Sequence, residues 1–143
     1  MEWFLIIHAG STFFMAGLCW FVQIVHYPLF HQIGLQQFPL YEKKNFVTAF
    51  IAVPVMAIEF TTGLYLLYHN IESVYFLNAA LMVIIGLSTM LLQVPIHFKL
   101  MKKASSKLIR KLILTNWIRT LSWSIRIILI GILLSRYLEF EMQ

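Results

Sequence analysis

With 143 residues, 60% of them hydrophobic and 12% charged, and a mean hydropathy of +0.79, the chain is too apolar for a soluble globular domain. Its length allows four membrane spans with short connections in a single domain covering residues 1–143. The net charge of +5 is concentrated beside apolar runs, so it reads as membrane topology and excludes nucleic-acid binding, while the lone Cys19 excludes a disulfide framework and a cysteine-rich metal site.

The first apolar run extends from about Trp3 to Pro28. It opens on Glu2, without the basic start or small-residue cleavage site of a signal peptide, so it is expected to be retained as a span. A connection with Pro39 and the cluster Glu42-Lys43-Lys44 follows and reads as a loop. The second and third runs cover about Phe46 to Tyr68 and Tyr75 to Phe98. A strongly basic connection (Lys99, Lys102, Lys103, Lys107, Arg110, Lys111) leads to the fourth run, about Leu112 to Leu134. The opposite side carries Glu2, Glu72, Glu139 and Glu141 against Arg136 alone. The positive-inside rule therefore places both basic connections in the cytoplasm and both termini outside it. The expected architecture is an all-α integral membrane four-helix bundle, multi-pass, in a cell's inner membrane. Trp3, Tyr27, Tyr68, Tyr75 and Tyr137 fall near the ends of the runs, where amphipathic rings favour the interface.

In lipid, apolar side chains say little about which helix faces meet, so the polar residues are the informative ones. Traced at spacings of three and four, the first span aligns His8, Thr12, Met15, Cys19, Gln23 and His26; the second aligns Asn45, Thr48, Ala52, Val55, Glu59 and Thr62. The third aligns Asn78, Met82, Gly86, Thr89, Gln93 and His97, and the fourth Asn116, Arg119, Trp123, Arg126 and Ile130. Four polar seams on apolar helices are best satisfied around a common axis. At about 1.5 Å per residue the seams divide into two depths. Gln23, His26, Gln93, His97, Asn116 and Arg119 lie in the cytoplasmic third, and Glu59 and Arg126 about 20 Å in, where they are expected to pair. Arg119 has no carboxylate at its own depth, so either snorkelling or an anionic ligand would satisfy it. Pro54 and Pro95 free carbonyls near Phe50 and Leu91 that are expected to open towards the interior. His8 is placed near the outer surface, and Met15, Met82 and Trp123 are read as packing residues. His26 and Asn45 lie 19 residues apart, as do His97 and Asn116, a spacing that suggests a duplicated hairpin.

At Gln23-Ile-Val-His26-Tyr27-Pro28, Glu59, Pro95-Ile-His97 and Asn116-Trp117-Ile-Arg119-Thr120 with Trp123 and Arg126, the chain resembles the anthrone-oxygenase-like family of small four-helix membrane proteins. The resemblance covers nearly the whole chain and is most specific over Asn116 to Arg126. Fungal members of that family are linked to oxidation of polycyclic anthrones to quinones, while membership by itself implies little about substrate. A looser similarity, in size and in His8 to Gly17, is to the haem-containing protoporphyrinogen-oxidase family of membrane proteins, whose tryptophan-histidine-lysine pattern in helix three is missing here.

The leading expectation is an oxidoreductase acting on a lipophilic aromatic or quinone-like substrate. His26 or His97 would serve as base, Arg119 with Asn116 would stabilise an enolate or phenolate, and Glu59 with Arg126 would organise the pocket floor. In a variant of this reading His26 and His97 ligate haem iron or a transition metal and Arg119 meets a propionate or substrate anion. The alternatives are a transporter or channel for protons or small ions along the seam, with or without oligomerisation, and a non-catalytic assembly protein holding anionic lipids or a partner through its basic loop.

Overall fold

The structure, a computed structural model, describes residues 2–142, with the side chains of Phe140 and Glu141 outside that description; Glu141, counted in the charge tally, therefore stands outside it. In a bilayer every backbone N–H and C=O must be satisfied within its own segment, and uninterrupted apolar sequence accordingly forms long helices. Four of them are long and apolar enough to cross a membrane: α1 (Glu2–Gln32), α2 (Phe38–His69), α3 (Ser73–Lys102) and α4 (Ser106–Glu141). Short connections force consecutive helices antiparallel, in an up-down-up-down bundle. Both basic connections thus lie at one end, here termed the basic end. The acidic end holds the α2–α3 connection, where Arg136 Nη1 donates to Glu72 Oε2 at 3.1 Å.

The helices reach further at the basic end than the apolar runs do. The stretch read as a loop around Glu42 is helical: α2 begins as α-helix over Phe38–Asn45, tightens to a 3-10 turn at Phe46–Thr48 and resumes over Ala49–His69. Pro39 is tolerated because it sits in the first turn, where an N–H has no intrahelical acceptor in any case. The turn before it closes on Gly34, whose carbonyl accepts from the amides of Gln37 and Phe38 at 2.9 and 3.0 Å.

Two helices carry a wide turn at matching places. α1 has a π turn at Val22–His26 and α3 one at Thr89–Gln93, each followed after a single intervening residue by a proline, Pro28 and Pro95. In both, the residue preceding the proline donates its N–H five residues back, Tyr27 to Val22 and Val94 to Thr89. The donor missing from the ring therefore falls where the ladder has already widened. Of the two openings expected at Pro54 and Pro95, the one at Pro95 takes this form, with Leu91 inside the π turn, whereas Pro54 lies within the unbroken α-helix Ala49–His69. The added residue in each π turn advances the helix face by about 100°. Tyr27, expected at an interface by its position near the end of the run, is thereby buried with Phe30.

The interior packs in three apolar layers. Leu5, Ala9, Leu66, Ile130 and Leu133 fill the acidic end; Met15, Ala16, Cys19, Ile85 and Trp123 the middle; and Tyr27, Phe30, Phe38, Ile96, Leu100, Ile109 and Leu112 the basic end. The outer faces, with Phe50, Met90, Leu91 and Ile128 among their exposed residues, form the continuous apolar surface that suits lipid contact.

Candidate functional site

Polar side chains gather in two places. The deeper one joins all four helices around Arg126, which is 1% exposed. Its Nη1 donates to Glu59 Oε1 at 2.6 Å, so the expected pair forms directly. Its Nε donates to Asn78 Oδ1 at 2.9 Å, and Nη2 reaches His8 Nε2 at 3.3 Å and Thr12 Oγ1 at 3.4 Å. Glu59 also accepts the Trp123 indole N–H at 3.1 and 3.3 Å. These bonds fix the hydrogen positions. Because Asn78 Oδ1 accepts from Arg126, its Nδ2 donates to His8 Nε2 at 3.1 Å, so that nitrogen is an acceptor. His8 then carries its proton on Nδ1 and donates it to Thr62 Oγ1 at 2.9 Å, while the Thr62 hydroxyl donates to Ile58 O at 2.8 Å. A further backbone constraint protects this arrangement: a Cβ on Gly63 would lie 2.6 Å from Met82 Sδ and 2.8 Å from His8 Cε1. His8 is thus not near the outer surface but fully buried in the charge cluster, and Trp123 does more than pack.

The second gathering surrounds a cavity of about 150 Å³ towards the basic end. Met15, Leu18, Cys19 and Val22 of α1, Ala49, Ala52, Val53 and Met56 of α2, and Val94 of α3 make it mainly apolar. Polar groups enter its wall from His26, Tyr27, Asn45, Thr48, Thr89, Gln93, His97 and Arg119. Two of the wall residues, Val53 and Phe46, are 59% and 39% exposed, so the cavity reaches the lipid-facing surface along α2. Both π turns contribute, through Val22 and His26 and through Thr89 and Gln93. Each widens its helix where a side chain must be turned to the cavity.

Arg119 stands in this wall in a very different condition from Arg126. Its Nη1 donates weakly to Asn116 Oδ1 at 3.4 Å, and its guanidinium lies 5.4 Å from the centre of the Trp123 ring. Its Nε is buried without a hydrogen-bond partner, and no carboxylate is in ion-pair contact with it among the described residues. Asn116 is itself part of a directed chain: its Nδ2 donates to Gln23 Oε1 at 2.9 Å, and Gln23 Nε2 donates to Ile113 O at 3.3 Å. Asn116 therefore orients Arg119 from behind the wall rather than facing the cavity. The second buried orphan is Gln93 Nε2, also at the cavity; the Oε1 of that amide accepts from Ser88 Oγ at 3.1 Å.

Both histidines expected to act together border the cavity, and each is engaged. His97 Nδ1 donates to Glu42 Oε1, and His97 Nε2 meets the Tyr27 hydroxyl at 3.1 Å. His26 Nε2 is 2.8 Å from Asn45 Oδ1, and Asn45 Nδ2 donates to Glu42 Oε2 at 3.4 Å. The matched spacing of the sequence is therefore realised once, in His26 with Asn45, while His97 takes Glu42 instead of Asn116. Glu42 is fully buried and holds the centre of this network. Sequence reading missed it because two lysines follow it, although its position three residues before Asn45 places both on one helix face. Glu59 and Arg126 do not form the cavity floor; the middle apolar layer and the Trp123 indole lie between.

The donors present do not favour a metal or haem. His97 has both ring nitrogens committed and His26 one, and no cluster of three or more His, Cys, Asp or Glu side chains is placed for an ion among the described residues. What the cavity offers is unpaired hydrogen-bond donors, Arg119 Nε and Gln93 Nε2, in a mainly apolar setting. Compared with known proteins, the chain matches no family model, no curated sequence and no solved structure.

Proposed function

We propose that the protein is a membrane-embedded oxidoreductase for a lipophilic aromatic or quinone-like substrate that reaches the cavity from the bilayer. The single observation that carries this reading is Arg119: an under-satisfied guanidinium at the wall of an apolar cavity that also holds two histidines. A partly desolvated cation of this kind is favourable towards an oxygen that becomes negative during reaction. A wall histidine takes the proton, Arg119 with Asn116 behind it receives the enolate or phenolate oxygen, and dioxygen oxidises the resulting carbanion. For an anthrone the balance closes with one oxygen atom retained as the new quinone carbonyl and the other leaving as water. The resemblance to anthrone-oxygenase-like proteins agrees with this chemistry. The basic connections face the cytoplasm in this reading, and the termini face outward. A conducting seam is less favoured, since Met15, Cys19, Ile85 and Trp123 form an apolar layer between the two polar groups.

The test is turnover of anthrone by purified protein in lipid vesicles, followed by quinone absorbance and oxygen uptake in equal amounts. Arg119→Gln is expected to slow turnover by about a hundredfold or more, the range seen when a donor to a developing oxyanion is removed. Wild-type protein that consumes no oxygen above empty vesicles with anthrone would refute the reading.

A further inference from the structure

Both histidines at the cavity lead to the same carboxylate, but by unequal routes. Glu42 is engaged at both oxygens, by His97 Nδ1 directly and by Asn45 Nδ2 at 3.4 Å. Since the Asn45 amide nitrogen is turned to Glu42, its Oδ1 is the acceptor for His26, whose Nε2 carries the proton and donates at 2.8 Å. A positive His26 would therefore face a neutral amide. A positive His97 would face the buried carboxylate of Glu42, a counter-charge whose attraction is strongest in a poorly solvated site. On its other side His97 presents Nε2 to the phenol of Tyr27, and both residues border the cavity.

We propose that Tyr27, His97 and Glu42 form a proton relay that ionises a phenolic or enolic hydroxyl of the ligand inside the cavity, where Arg119 and Gln93 Nε2 hold the resulting oxyanion. The step is a heterolysis. The ligand O–H bond breaks and leaves its electron pair on the ligand oxygen; the proton joins the Tyr27 oxygen as the Tyr27 proton passes to His97 Nε2. The imidazolium keeps its Nδ1–H on Glu42. One negative charge appears beside Arg119 and one positive charge beside Glu42, so the net charge of the bundle interior does not change. A ligand can consequently cross lipid in its neutral form and become an anion only where both counter-charges wait. Tyr27 and Glu42 are new to the site, with Glu42 positioning His97 rather than touching ligand. The relay rests on the proposed function to the extent that the ligand is lipophilic and bears an ionisable oxygen.

An alkylated 2-naphthol separates the two ideas, because such a phenol ionises near pH 10 in water and is neutral at about pH 7. The purified full chain in detergent is mixed with the naphthol at that neutral pH, binding is measured by equilibrium dialysis, and the naphtholate absorption band reports ionisation of the bound probe. Wild-type protein is expected to bind the probe and display the band. Tyr27→Phe and Glu42→Gln, both close in volume to the native residues, are expected to bind it within about threefold while the band falls at least about tenfold, the scale of a lost proton acceptor. Arg119→Gln should lose the band as well. Bound naphthol that stays neutral in wild-type protein would overturn the relay and leave the lipophilic site standing. A band that survives in Tyr27→Phe and vanishes in His26→Gln would make His26 the base and overturn it equally. Absence of any binding would remove the site, and the proposed function with it.

Discussion

Arg119 and Arg126 lie two turns apart on the same face of α4, and their surroundings differ in every respect that matters to a charge. Arg126 is held by acceptors from α1, α2 and α3, with a carboxylate at 2.6 Å. Arg119 has one long bond to an amide and an aromatic face. The first environment is completed within the fold, by partners on three other helices. The second is left incomplete by the fold, with Arg119 Nε unpartnered. Trp123 stands between them, with Arg119 over its ring and its N–H on Glu59, so the closed cluster forms the support on which the open one rests.

This contrast sets expectations for thermal unfolding in a mild detergent, in decreasing size. Arg126→Ala should cost about 3–5 kcal/mol, because it leaves Glu59 buried and unpaired. Arg126→Lys should recover little of that loss, since an ammonium cannot span Glu59, Asn78, His8 and Thr12 together. Equal stability of Arg126→Ala and wild-type protein would erase the distinction between the two arginines. Gly63→Ala should cost about 1–3 kcal/mol through the displacement of Met82 and His8. The loss should be recovered in part by a second substitution, Met82→Ala, and failure of that recovery would mean that backbone effects dominate. Arg119→Gln should change stability by less than about 1 kcal/mol, or raise it, because a half-buried, incompletely satisfied cation contributes little to the fold. A loss as large as that of Arg126→Ala would show Arg119 to be structural.

The pair Glu59 and Arg126 is legible in the sequence because two opposite charges at one depth in an apolar bundle have few alternatives to each other. Arg119 is legible as an anomaly for the complementary reason, having no carboxylate at its level. Glu42 is not, because charge tallies count a carboxylate between Pro39 and two lysines as part of a solvated loop. Only the extension of α2 to Phe38 carries it inside. Depth alone misplaces His8; the network of Asn78, Thr62 and Arg126 around it depends on which faces of three other helices are opposite.

By itself, then, the sequence determined four long apolar helices, the clustering of charge at one end and the polar face of each helix, since these follow from hydropathy and from a period of 3.6 residues. The tertiary structure decided what those faces meet. Two π turns, invisible to a constant period, turn Tyr27 inward and shape the cavity wall. One buried carboxylate gathers both histidines, and of two arginines on one helix face only one is in contact with a counter-charge among the described residues. Such outcomes depend on angstrom-scale placement across helices, which no periodicity along a single chain contains.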